Sequence, residues 1–204
     1  MPEVLPSEGF LALQPGRPVE LSGPPGLGLT RLGLHLLALP STVTTVVALD
    51  ARGWLAPRAA WEVGVERERL VLVHCPDPRH WARVMAALCE GVRAVYAEVP
   101  AGVGDRDLRR LAALGRARGV ALALRPLGGT LPGGVAHLRL RAMEVRWEGP
   151  DRGHGRLGRR LLVLEASGRG VAGIDRRVEV EDDGARGMRV VSGLAVAARG
   201  RATG

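Results

Sequence analysis

The sequence predicts an α/β domain: a mainly parallel sheet with helices on both faces and antiparallel strands added at its C-terminal end. Three observations predict it. Between residues 19 and 124, short apolar or β-branched runs alternate with longer segments of helical periodicity. Such an order needs crossover connections, and crossovers make neighbouring strands parallel. Beyond residue 134 the periodicity shortens to two, which is the signature of strands solvated on one face. Finally, 204 residues suffice for one sizeable core and are too few for two ordinary domains.

The elements follow in order. Residues 1–18 form an irregular lead closed by Pro15, Gly16 and Pro18. Residues 19–21 are a short apolar strand, 23–28 a Gly/Pro-rich turn, and 30–39 a helix that Pro40 stops. TVTTVVAL at 42–49 is a buried strand, 57–63 a short helix and 70–74 a strand. Residues 78–90 are helical, with Trp81, Val84, Met85 and Leu88 on one side. A strand at 93–99 precedes a helix at 105–118, N-capped by Asp105 and closed by Gly119. Residues 120–124 are the next strand. Segment 136–147 alternates apolar and polar residues imperfectly near Met143, and further strands follow at 157–166 and 177–181. The core is read as 19–184 and the tail as 185–204, whose apolar stretch VVSGLAVAA either packs on the core or docks into a partner.

Composition narrows the class. Nearly half the residues are apolar (46%) and a quarter charged (25%), as in globular proteins. No apolar run is long enough to span a membrane, and the first residues carry Glu3 and Glu8 rather than a basic leader. A cytoplasmic protein is expected. The net charge is +8, and all 29 basic residues are Arg. A GC-rich genome accounts for much of that bias, but a basic surface attracts acidic partners whatever its origin. Cys75, Cys89, His74 and His80 lack metal-site spacing, so no metal site is expected.

The strongest motif is GPPGLGLT at 23–30. It fits the phosphate-binding loop GxxxxGK[ST] in spacing, in Gly23, Gly28 and Thr30, and in its strand–turn–helix setting. The lysine position holds Leu29. What is lost is the ammonium that reaches the terminal phosphates and offsets charge during transfer. In binding alone that is on the order of 1.5–3 kcal/mol. With no Lys anywhere in the chain, none can be supplied in cis, and Arg31, one residue beyond Thr30, is expected to point away.

On these residues, and on VVALDARGW, VRAVYAEVP and VALALRP, the chain resembles the RecA recombinase core over roughly residues 19–184. The resemblance implies a nucleotide site of Gly23, Gly26, Gly28, Thr30, Asp50 and Glu98. Asp50 falls on the family's conserved Asp, and Glu98 on its magnesium-organising Asp. Arg52 stands where the family has its water-activating glutamate, and Arg125 falls at or beside its γ-phosphate sensor. With both the lysine and the catalytic glutamate replaced, the expectation is a protein that is not an enzyme, has no catalytic residues, and has no required cofactor, ATP and magnesium included. The DNA-binding loops of the family shrink here to residues 100–104 and 126–134, so RecA-style filaments and strand exchange are not expected.

A degenerate core of this size is similar to the ImuA family, in particular its ImuA-prime branch, which works in damage-induced mutagenesis. That resemblance implies an accessory protein of translesion synthesis. Its expected partners are ImuB, an error-prone C-family polymerase and RecA, with DNA met through basic faces and association with the nucleoid on damage. Two alternatives stand beside it: a weak or regulatory ATP-binding protein, and a cell-division inhibitor resembling SulA.

Partner or DNA surfaces are expected at Arg106, Arg109 and Arg110 on the 105–118 helix. Further candidates are Arg139, Arg141, Arg159 and Arg160 on the late strands, and Arg199 and Arg201 in the tail. Trp54, Trp61 and Trp81 are read as core or edge packing, and Glu181-Asp182-Asp183 as a turn or a cation holder.

Overall fold

The structure, a computed structural model, describes residues 11–149, 158–171, 176–184 and 187–194. Nine strands among them form a single sheet: β1 (Val19–Ser22), β2 (Val46–Asp50), β3 (Leu70–His74), β4 (Ala94–Val99), β5 (Ala121–Pro126), β6 (Leu138–Glu148), β7 (Arg159–Gly168), β8 (Arg176–Asp182) and β9 (Met188–Leu194). Their spatial order is β3-β2-β4-β5-β1-β6-β7-β8-β9. The first six in that order run parallel. The pairs from β6 to β9 are antiparallel.

Each central strand feeds two cores because its side chains alternate between faces. Val46, Ala48, Ala94, Tyr96, Ala121 and Ala123 join one core, covered by α1 (Leu29–His35) and α3 (Pro57–Trp61). Val47, Leu49, Val95, Ala97, Leu122 and Leu124 join the other, covered by α4 (Pro78–Gly91) and α5 (Asp105–Arg118). The two long helices insert Trp81, Met85 and Cys89, and Leu108, Leu111 and Ala112, at helical spacing. Small residues on the first face let α1 lie close. A Cβ at Gly33 would run into the ring of Tyr96, which is fully buried. Gly33→Ala is therefore expected to destabilise by about 1–3 kcal/mol through overpacking, read as a lowered urea midpoint at unchanged slope.

Several sequence expectations need correction. The helix expected at 30–39 breaks after His35, and a four-residue helix, α2 (Ala38–Ser41), follows with Pro40 inside it. A proline in a first turn removes an N–H that has no intrahelical acceptor, so the turn survives. Asp105 is the first helical residue of α5, and the N-cap is Gly104. The alternating segment is β6 and pairs parallel with β1, so the antiparallel part begins one strand later, at β7. Its irregularity at Met143 is a bulge between Ala142 and Glu144. Residues 188–194, placed in the tail by the sequence, are strand β9, so the core extends beyond residue 184. Residues 1–10 of the lead and 195–204 of the tail, with Arg199 and Arg201, lie outside the described residues.

Candidate functional site

The turn between β1 and α1 keeps the backbone of a phosphate loop. Gly23, Gly26 and Gly28 have φ of 141°, 85° and 81°, a region that side chains other than glycine's rarely allow. Two of the three sit under neighbours. A Cβ at Gly23 would lie 2.8 Å from the Ala142 carbonyl oxygen, and one at Gly28 would fall on the Arg160 guanidinium. Leu29 is 1% exposed and packs into the core beneath α1.

Two guanidinium groups meet at one carboxylate beside the loop. The Arg125 Nη1–H donates to the Thr30 hydroxyl and lies 3.5 Å from Glu98 Oε1. Arg52 grips the same carboxylate with both ends of its fork, Nε–H to Oε2 at 3.1 Å and Nη2–H to Oε1. Glu98 is wholly buried, at the end of β4 between the two. Asp50 turns to its own backbone: its carboxylate accepts the N–H groups of Arg52 (2.9 Å), Gly53 (2.8 Å) and Leu55 (2.9 Å), which shapes the turn after β2. Trp54 is largely exposed and stacks on Arg52, ring centroid 4.5 Å from Cζ. Of the tryptophans read as core or edge packing, Trp54 lies outside the core, whereas Trp81 is in it: fully buried, its indole N–H donates to the Glu98 carbonyl at 2.7 Å.

A second lattice closes the other side of the loop. Asp182 of β8 accepts Arg31 Nε–H at 2.6 Å and Arg160 Nη2–H at 2.7 Å. Arg31 also meets Glu62 at 3.6 Å. Arg160 reaches over Gly28 beneath Trp147, 5.6 Å from its ring centroid. Burial depresses the Arg160 pKa, with the charge of Asp182 opposing. Burial also works against ionisation of Asp182. Hydrogen bonds from Arg31 and the Gly184 N–H, with the charges of Arg31 and Arg160, nonetheless hold its carboxyl below the ordinary 3.8. A depressed folded pKa means stability that is complete above the unfolded pKa and lost as pH falls through the folded one. Asp182→Asn is therefore expected to be less stable than the parent at pH 7. The gap should close below about pH 4 in urea titrations run at stepped pH.

The residues present do not fit a magnesium nucleotide. Magnesium needs oxygen ligands, and the Thr30 hydroxyl, the Glu98 carboxylate and the Asp50 carboxylate already hold donors. The lysine position faces the core, and α1 is only seven residues long.

The expected surface arginines divide. Arg106, Arg109 and Arg110 lie exposed on α5, with Arg109 paired to Asp105 at 3.3 Å, and Arg141 is exposed on β6. Arg139 is instead bound inward. Its Nη1 lies 2.6 Å from the carboxylate of Glu20, a fully buried residue of β1, and its Nη2–H donates to the carbonyls of Leu131 and Pro132. Burial pushes the Glu20 carboxyl up, against the Leu131 N–H and Arg139. Arg160 is buried at the loop, and Arg159 pairs with Glu148 and Glu181. Glu181 also holds Arg189, so Glu181 and Asp182, the last two residues of β8, are ion-pair acceptors. The sequence missed Glu20, hidden in a strand read as apolar, and missed that Arg160 reaches the loop.

No helix among the described residues is long and apolar enough to cross a membrane. No curated protein matches the chain. Among solved structures, the crystal structure of the RadB recombinase is similar at 20% identity and a TM-score of 0.61, covering 91% of this chain and 97% of that one. That likeness is one of fold: a RecA-like core, with the parallel sheet and antiparallel extension described above. The family model described as the MT3502 N-terminal domain matches residues 3–133, more than half of the chain and all of the site from Gly23 to Arg125. The chain belongs to the MT3502 N-terminal domain family and carries it on a RecA-like core.

Proposed function

We propose that this protein is a non-catalytic accessory factor of damage-induced mutagenesis, of the ImuA type, and that it joins ImuB and the error-prone polymerase in translesion synthesis. One observation carries the reading: arginines neutralise the carboxylate at the end of β4 and bind the loop threonine. A site closed in this way keeps the rigid platform of the fold and gives up turnover. The RecA-like core supports the family part of the reading, and the exposed arginines of α5 support contact with acidic partners.

Two measurements test it. Purified protein is expected to release no phosphate from ATP above the level of a Gly28→Trp variant, and to retain ImuB in a reciprocal pull-down. Turnover in the parent that the variant lacks would overturn the non-catalytic part. Loss of ImuB from both directions of the pull-down would overturn the adaptor part.

A further inference from the structure

At the opposite end of the sheet from the phosphate loop lies a pocket of about 240 Å³. It opens where β1 and β6 begin, between Gly16, Pro18, Gly134, His137, the end of α5 at Arg116, and Arg169 after β7. Arg116 and Arg169 are exposed. Arg17, beside them, donates to the Gln14 amide oxygen at 2.7 Å. Among the described residues none of these three arginines has an ion-pair partner. The His137 ring feels only positive neighbours: burial lowers its pKa, and the charges of Arg17 and Arg169 lower it further.

The arginines at the far end of the antiparallel extension are held differently. On the outer face of the antiparallel extension, Arg146 and Arg177 both meet Glu144, while Arg159 and Arg189 both meet Glu181. Along α5, by contrast, Arg106, Arg110, Arg116 and Arg118 are exposed without ion-pair partners among the described residues. From Arg106 to Arg118 the helix rises about 18 Å; Arg106 and Arg110 share its outward face, and Arg116 and Arg118 lie on its two flanks, Arg116 on the one that lines the pocket.

We propose that the pocket at Arg116, Arg169 and His137 binds a phosphate of a nucleic-acid backbone, and that the outward arginines of α5 carry the strand on from it. A small phosphorylated compound would be satisfied by the pocket alone, leaving the α5 arginines unused; an extended polyanion engages both. None of the exposed large hydrophobic residues, which include Trp54, Trp61 and Trp147, belongs to this surface. The contact is therefore with backbone, not bases, and is independent of sequence. The inference rests on charge placement, and its test needs neither ImuB nor nucleotide.

The test is fluorescence anisotropy of a labelled oligo(dT) with the full chain, from low to physiological salt. The pocket pair Arg116→Ala with Arg169→Ala is compared with a charge-matched pair, Arg146→Ala with Arg177→Ala. The pocket pair is expected to bind about tenfold more weakly, with a log–log salt slope shallower by about 1.4, which is two phosphate contacts on a single strand. The charge-matched pair should stay within about twofold of the parent. Equal weakening of both pairs, or no binding by the parent at low salt, overturns the proposal. So does calorimetric binding of inorganic phosphate that the pocket pair abolishes while the parent ignores the oligonucleotide; that outcome assigns a small phosphorylated ligand. Thermal melts confirm folding, and Arg116→Gln with Arg169→Gln repeats the reading with side-chain length retained.

Discussion

Leu29→Lys, the change that completes the phosphate-loop consensus, is expected to destabilise the protein by about 2–4 kcal/mol and to produce no ATP turnover. The leucine is 1% exposed and contributes to the core under α1. Burying such a side chain is worth about 1.5–3 kcal/mol, and a lysine forfeits much of that. The ammonium then has two choices. It can stay buried and lose its proton, at the expense of a pKa several units below the ordinary value. Or it can swing toward the loop, where the Arg160 guanidinium already lies against Gly28 and repels it. Leu29→Met is the control, since a near-isosteric apolar swap should cost less than about 1.5 kcal/mol. Urea unfolding and phosphate release read the two effects separately. A lysine variant as stable as the parent, and hydrolysing ATP, would mean that the site lacks only its lysine and that the arginine lattice is incidental.

The sequence carried the architecture because architecture is written in local patterns. The alternation of VVALD, LVLVH and AVYAEV with the apolar faces of α4 and α5 needs no knowledge of partners. The glycines at 23, 26 and 28 likewise announce a loop by spacing alone. The site was harder. Leu29 and Arg52 could be read as losses, yet the sequence held no sign that Arg52 and Arg125 converge on one carboxylate, because β2, β4 and β5 become neighbours only in the folded sheet. Arg160 and Arg139 were read as surface for the same reason. Arginine in an alternating strand looks solvated until the strand opposite supplies a carboxylate, here Asp182 across β7–β8 and Glu20 across β1–β6. Glu20 escaped notice because one acid between Val19 and Leu21 does not disturb the pattern of so short a strand. β9 escaped because its apolar run is continuous in sequence with the small apolar residues that follow it.

Removing both guanidiniums from Glu98 provides the sharpest test of how the loop is held. Arg52→Gln with Arg125→Gln leaves a wholly buried carboxylate without a cation, and a broken buried pair is expected to cost about 3–5 kcal/mol. Glu98→Gln added to that pair should recover part of the loss, because the buried charge that needed compensation is gone; the triple variant is then more stable than the double. If the arginines have taken over a cation's place, the double variant should also acquire a taste for a real one. Glu98 and Thr30 would be freed together, and millimolar Mn²⁺ should raise its melting temperature while leaving the parent unmoved. Saturation at a hundredfold over Kd corresponds to about 2.7 kcal/mol, enough to recover much of the deficit. The triple variant, lacking the carboxylate, should lose that response. If the double variant unfolds at the parent's midpoint, the guanidiniums contribute nothing to the loop's architecture. If it is destabilised but indifferent to the metal, Thr30 and Glu98 no longer face a common point, and the arginines are a graft onto the fold rather than a replacement for its magnesium.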